Sequence, residues 1–184
     1  MQSKIKTYPV PEIAGAMLIE AQQFRDARGL FQKIYEKDFE FCKQFALVQQ
    51  VNISSNPRIG TLRGMHYQDE PFCEYKIVSC IHGKIFDVML DLRPESKNFK
   101  SWFGITLPAN GLCLLIPPLV AHGFQTLEND STVVYLHSSP YSPTHSKGIN
   151  PFDSEIGITW PLKVTEISTS DENLPLLKTV LKNE

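Results

Sequence analysis

The sequence has no excess of positive charge. Its 18 Lys and Arg stand against 20 Asp and Glu, a formal net charge of −2. Proteins that hold a polyphosphate backbone do so with clustered cations, so nucleic acid is a poor partner class, whereas a small anionic ligand needs only a few placed cations. Cysteine is scarce: Cys42, Cys73, Cys80 and Cys113 contain no C-x-x-C pair. Such usage excludes a disulfide scaffold and reads as reduced cytosolic thiols. Long apolar runs are missing too. The most apolar stretch, Gly111–Ala121, is too short to span a bilayer and carries two prolines. The opening MQSKIKTYPVPEIAG lacks the apolar core of a secretory leader. These absences point to a soluble, cytoplasmic protein without a membrane partner.

Helical segments between strands are also missing, which excludes a doubly wound α/β fold. Short apolar or alternating runs recur instead: Ala16–Glu20, Phe45–Ile53, Tyr75–Cys80, Lys84–Leu92, Ser101–Leu107, Leu112–Ile116 and Thr132–His137. Gly, Pro, Asn, Asp and Ser fill the breaks between them. Many short strands at this spacing predict an all-β sandwich or closed barrel. Two peripheral helices are expected, Glu36–Phe45 and Asn173–Lys182, the second with Leu174, Leu177 and Leu181 on one face. The expected organisation is a single domain over residues 1–184, with a β core of about Ala14–Pro161 and a loop-and-helix tail over 162–184.

Four segments carry the chemistry. The densest is Arg58–Lys76, with Arg63, His66 and Lys76. On a regular strand Arg63 and His66 face opposite sides, unless Gly64 marks a bulge that lets both enter one cavity. In Ile116–Leu127 two prolines lead into a strand bearing His122. Tyr135 and Tyr141 follow six residues apart, and Asp171 lies in the tail, where it could also serve as a helix cap. A metal centre is not expected. Such sites need three or four converging ligands, and no His-x-His pair accompanies His66 or His122. Phosphate-binding glycine motifs are absent as well, so a nucleotide would be held by side chains.

Taken together, these segments resemble the dTDP-4-dehydrorhamnose 3,5-epimerase family. Phe24–Phe31 is similar to F-x-D-x-R-G-x-F, Leu62–Gln68 to L-R-G-L-H-Y-Q, Asp87–Arg93 to D-V-x-V-D-L-R, and Ala121–Phe124 to A-H-G-F. Gln50–Ser54, Lys76, Ile116-Pro117, Tyr135, Tyr141, Ile158–Pro161 and Asp171 keep the family order. The resemblance implies a cupin-type jelly roll, a homodimer, no cofactor and no metal. It also implies a nucleoside-diphosphate 4-keto-6-deoxyhexose as substrate, epimerised for a surface polysaccharide or glycosylated metabolite. By the same resemblance His66 would be the base, Asp171 its orienting carboxylate, Tyr135 the opposing acid and Lys76 the stabiliser of the enolate oxygen. Arg28 and Arg63 would hold the diphosphate, and Phe31 and Tyr141 would stack on the nucleobase. Gln50, Asn52 and His122 would line the pocket. The chain departs from the pattern at Lys33, Glu74 and Phe152. Inversion of one carbon only, a 3,4-ketoisomerase, and a non-catalytic binding module are the competing readings.

Overall fold

The computed structural model describes residues 5–36, 43, 45 and 47–180. Two antiparallel sheets face each other. In the first, six strands lie in the order β1 (Ile5–Pro9), β2 (Met17–Ala21), β10 (Leu112–Ile116), β7 (Lys76–His82), β12 (Ser131–His137) and β5 (Gln50–Asn56). The second holds β13 (Ser146–Gly148), β6 (Leu62–Gln68), β11 (Val120–Thr126), β8 (Lys84–Asp91) and β9 (Trp102–Pro108). A small hairpin, β3 (Gln23–Asp26) with β4 (Gly29–Gln32), stands apart from both. The non-sequential strand order is that of the expected jelly roll, and among the described residues no helix is long and apolar enough to cross a membrane.

Strand burial follows from what covers each face. The central strand β8 is buried almost throughout because both of its faces are covered. Ile85 and Met89 turn inward to meet Val78, Leu114 and Val133 of the other sheet. Val88 and Leu90 turn outward and pack under Ile149, Ile156 and Leu177, which the chain delivers after β13. The tail is therefore a cover for the second sheet. Each fully buried aliphatic side chain contributes about 1.5–3 kcal/mol to holding such a cover down.

The tail differs from the expected helix over Asn173–Lys182. It forms two single-turn helices, α1 (Thr169–Glu172) and α2 (Leu177–Val180), with Pro175 between them; Leu181 and Lys182 lie outside the described residues. A proline donates no backbone hydrogen bond and cannot continue a helix. The Asn150 side-chain amide takes up the carbonyls of Glu172 and Leu174, and Asp153 accepts from the Leu177 N–H. The leucine spacing reflects burial on the sheet, not one continuous helix. The other expected helix, Glu36–Phe45, falls mostly outside the described residues, although Phe45 is buried against Ile19, Ile77 and Leu115. Cys73, Cys80 and Cys113 are free thiols, and burial pushes Cys80 and Cys113 up to about 11, leaving them unreactive; Cys42 is not described.

The irregularity at Gly64 sets the geometry of the site. His122 pairs with His66 and Phe124 with Arg63, so three steps on β6 answer two on β11. Directly paired residues of antiparallel strands point to the same side, and His122 and Phe124 are two apart. Hence Arg63 and His66 emerge on one face, as a bulge at Gly64 requires. Gly64 has φ +120°, and a Cβ there would stand 2.5 Å from the Gly123 Cα and 2.8 Å from the His122 carbonyl oxygen. Gly64→Ala should therefore cost several kcal/mol through backbone strain and overpacking, lowering Tm by roughly 5–15 °C. Thermal unfolding followed by circular dichroism is the measurement, and an unchanged Tm would mean that the bulge does not need glycine.

Candidate active site

A cavity of about 650 Å³ opens between the sheets, within the range of small-molecule sites. From the second sheet it receives Arg63, His66 and His122; from the first, Gln50, Asn52, Lys76, Tyr135 and His137; and from the loops and tail, Tyr141 and Asp171. Nine of the eleven residues singled out by sequence thus line one space. Arg28 and Phe31 do not. They sit on the β3–β4 hairpin, where the Arg28 side chain is 90% exposed and pairs with Asp26, while Phe31 is 67% exposed. Local sequence similarity singles them out in the chain, but similarity of a segment does not carry a residue across to the cavity of its own barrel.

His66 reaches Asp171 through Nε2 at 2.7 Å, and the second Asp171 oxygen accepts the Gly64 N–H at 3.2 Å. Ser168 is the N-cap of α1 and accepts the Asp171 N–H at 3.0 Å, so Asp171 does not cap this helix and its carboxylate is free for the histidine. Burial alone would raise the Asp171 carboxyl. The hydrogen bond and charge of His66, the Gly64 N–H and the Ser168 hydroxyl outweigh it and hold the group below the ordinary carboxylate range. An ionised Asp171 accepts Nε2–H, which leaves the Nδ1 lone pair of His66 as its basic position.

Two further cavity histidines, His122 and His137, each meet a carboxylate, and sequence reasoning named neither pair. His122 Nε2 meets Asp87 at 2.8 Å, and His137 Nδ1 meets Glu74 at 2.9 Å. Their partners lie 35 and 63 residues away and come together only through strand pairing, so no local motif signals them. Asp87 is wholly buried, and desolvation raises its carboxyl despite the proximity of His122 and Lys76; its Oδ1 has no hydrogen-bond partner. Tyr135 stands between the two pairs, with the His122 ring edge-on and the His137 ring stacked, each at 6.0 Å between centroids. Burial pushes the Tyr135 phenol far above its ordinary range and the negative charge of Asp87 adds to this, while Arg63 and Ser54 oppose it. Such a phenol keeps its proton at neutral pH.

Lys76 is buried, with its ammonium 3.4 Å from Glu74 and 3.4 Å from the His66 carbonyl oxygen. Arg63 donates Nε–H to the side-chain oxygen of Asn56 at 2.7 Å. Among the described residues no three His, Cys, Asp or Glu side chains converge as a metal-ligand set. An imidazole, a phenol and two cations are thus arranged about one space, His66 on one sheet and Tyr135 on the facing one.

The dTDP-4-dehydrorhamnose 3,5-epimerase family model matches residues 11–179. A dTDP-4-dehydrorhamnose 3,5-epimerase of Sinorhizobium fredii is 39% identical over 170 residues, covering 90% of this chain and 86% of that protein. A dTDP-4-dehydrorhamnose 3-epimerase of Streptomyces niveus is 33% identical, covering 90% of this chain and 81% of that one. The crystal structure of a dTDP-4-dehydrorhamnose 3,5-epimerase from Bacillus anthracis, with TDP and pyrophosphate bound, superposes with a TM-score of 0.86 at 35% identity, covering 95% of this chain and 100% of that one. With the match running through both sheets and the tail that supplies Asp171, the chain belongs to the dTDP-4-dehydrorhamnose 3,5-epimerase family of carbohydrate epimerases.

Proposed function

We propose that this enzyme epimerises C3 and C5 of dTDP-4-dehydro-6-deoxyglucose, giving dTDP-4-dehydrorhamnose without a cofactor. The observation that carries the reading is the placement of an Asp171-oriented His66 on one sheet and a proton-holding Tyr135 on the other, across a cavity that also holds Lys76. The 4-ketone acidifies the hydrogens on its two neighbouring carbons. His66 Nδ1 removes one of them as general base, and the charge passes to the C4 oxygen, where the Lys76 ammonium stabilises the enolate. Tyr135 then returns a proton to the opposite face of the same carbon, which inverts it. Arg63 is suited to the diphosphate and Tyr141 to stacking on the thymine.

Arg28 and Phe31 fit the same reading through a second copy of the chain. The reading includes a homodimer, in which the exposed hairpin of one copy serves the cavity of its neighbour. The enzyme acts as a single domain in the cytoplasm, where the sugar nucleotides that feed polysaccharide assembly are made. The Streptomyces niveus relative is named for C3 alone, so the carbons inverted are what the first experiment must read.

Wild-type enzyme incubated with dTDP-4-keto-6-deoxyglucose in deuterium oxide should place deuterium at both C3 and C5 and yield the rhamno product by NMR. Exchange at C3 only would make it a single-carbon epimerase, and movement of the carbonyl would make it a ketoisomerase. His66→Ala should lower exchange at both carbons by about 10²–10⁴-fold, and a variant retaining a tenth of the wild-type rate would remove His66 from the base role.

Tyr135→Phe should separate proton removal from inversion. The base still forms the enolate, but reprotonation then comes mainly from His66 on the original face. Deuterium should enter unepimerised substrate while product falls steeply; product and exchange in the wild-type ratio would assign the acid elsewhere.

Activity should also survive exhaustive chelation, since among the described residues no three His, Cys, Asp or Glu side chains converge to hold a metal ion. Loss on chelation with rescue by one added metal ion would overturn the mechanism.

A further inference from the structure

The cavity wall formed by the first sheet contains an unbroken row of polar contacts. Lys76 Nζ lies 3.4 Å from Glu74 Oε1, and the other Glu74 oxygen is 2.9 Å from His137 Nδ1. His137 Nε2 lies 3.4 Å from Asn52 Nδ2, the Gln50 side-chain N–H donates to Asn52 Oδ1 at 3.0 Å, and Gln50 Oε1 accepts the Tyr141 backbone N–H at 3.0 Å. Strand register builds the row. His137 pairs with Lys76 on one side and Gln50 on the other, and Tyr135 pairs with Asn52.

Both ends of this row have fixed polarity. The Tyr141 N–H can only donate, so Gln50 must turn its oxygen toward Tyr141 and its amide nitrogen toward Asn52. Asn52 must then offer its oxygen to Gln50 and its nitrogen to His137, whose Nε2 must be the bare lone pair. The ring proton therefore sits on Nδ1 and needs an acceptor there. At the other end Lys76 can only donate. The residue between Lys76 and His137 thus faces a donor on each side, and a carboxylate is the side chain of that length that accepts at both oxygens. A glutamine would have to give its one oxygen to Lys76 and turn its NH2 to Nδ1. That would force the opposite tautomer and set an Nε2–H against the Asn52 amide.

We propose that Glu74 and His137 are positioning residues that act through Asn52 and Gln50. They hold both amides with an N–H facing the cavity, so that this wall selects a ligand rich in acceptor oxygens. For the identity of that ligand the inference rests on the epimerase reading: the oxygens are those of the sugar nucleotide. Glu74 also ties this recognition row to Lys76, since one carboxylate serves both. The side chains of Lys76, Glu74 and His137 are 9%, 6% and 13% exposed, so little water is present to replace a lost partner.

The test has a structural arm and a kinetic arm. In protein labelled with 15N-histidine, two-bond 1H–15N correlation at neutral pH should show His137 as the Nδ1–H tautomer in wild type and as Nε2–H in Glu74→Gln, the His137 signal being assigned by its loss in His137→Leu. A wild-type ring found as Nε2–H or doubly protonated, or a tautomer unchanged in Glu74→Gln, overturns the proposal whether or not the protein is an epimerase. In steady-state kinetics with dTDP-4-keto-6-deoxyglucose, Glu74→Gln and His137→Leu should raise KM on the order of ten-fold, with a smaller change in kcat. His137→Gln, whose carbonyl can take the place of Nε2 and accept from Asn52, should recover most of the lost affinity. Equal KM values for His137→Leu and His137→Gln would reduce His137 to a packing residue. If His137→Leu fails to fold, the loss of signal in His137→Gln supplies the assignment and Glu74→Gln still decides. Absence of turnover in wild type would count against the epimerase reading and not against the tautomer.

Discussion

One carboxylate ties the chemistry of this protein to its folding. Asp171 stands on a single-turn helix that has no strand to hold it, yet it must meet the ring of His66 and the N–H of Gly64 together. What brings it there is the apolar underside of the tail. Leu177 and Ile156 settle on Val88, Leu90 and Met65, on the outer face of the sheet whose inner side lines the cavity. Burial of a few aliphatic side chains, each contributing about 1.5–3 kcal/mol, is large beside the net 1.5–3 kcal/mol of a hydrogen bond to a charged group. The hydrophobic contact therefore positions the carboxylate, and the carboxylate orients the histidine. A weakened tail would first loosen His66 and only then the barrel.

Three histidines of one cavity each meet a carboxylate, but the surroundings of the carboxylates separate them. Asp171 has a backbone N–H and a serine hydroxyl besides its histidine, and its charge is stabilised. Asp87 is sealed in the core with one oxygen unpartnered, and its charge is penalised. Glu74 touches two partners, Lys76 with one oxygen and His137 with the other. The same two residue types thus yield a stabilised anion beside His66, a penalised anion behind Tyr135, and a carboxylate placed between Lys76 and His137. Environment, not residue type, divides acid–base roles within a site. The raised phenol of Tyr135 is part of this division, because burial and the Asp87 charge act on it in the same direction.

Strand runs and turn residues make an all-β sandwich or barrel legible in the sequence, since alternation and turn chemistry are local signals; the jelly roll itself follows only from the family resemblance. The bulge was legible as well: a glycine between Arg63 and His66 has few other uses inside a strand. The tail helix was misjudged because leucine spacing reports a buried stripe and says nothing of the chain path; Pro175 decides that path. Glu74 stood out only as a departure from the family pattern. Its partner His137 carried no signal, because their contact is made by the register of β12 against β7. Arg28 and Phe31 show the reverse limit, as likeness in sequence specifies a position in the chain and not the cavity it serves.

The charges of the cavity also show where an anion can be held. Lys76 spends its charge on Glu74, and Lys147, which also lines the cavity, faces Asp69 at 3.7 Å. Arg63 rests instead on the neutral oxygen of Asn56, and among the described residues it has no carboxylate partner. Asn56 is buried and is itself held by the carbonyls of Ser54 and Ser131, so it fixes the guanidinium without neutralising it. A guanidinium bound through Nε keeps its two terminal nitrogens for a further acceptor, the geometry that suits a phosphate. In the proposed reaction the diphosphate would therefore settle on Arg63, which emerges beside His66 because of the bulge. The local irregularity at Gly64 that turns His66 into the cavity also turns Arg63 into it, so the spacing between the two is set by how β6 pairs with β11.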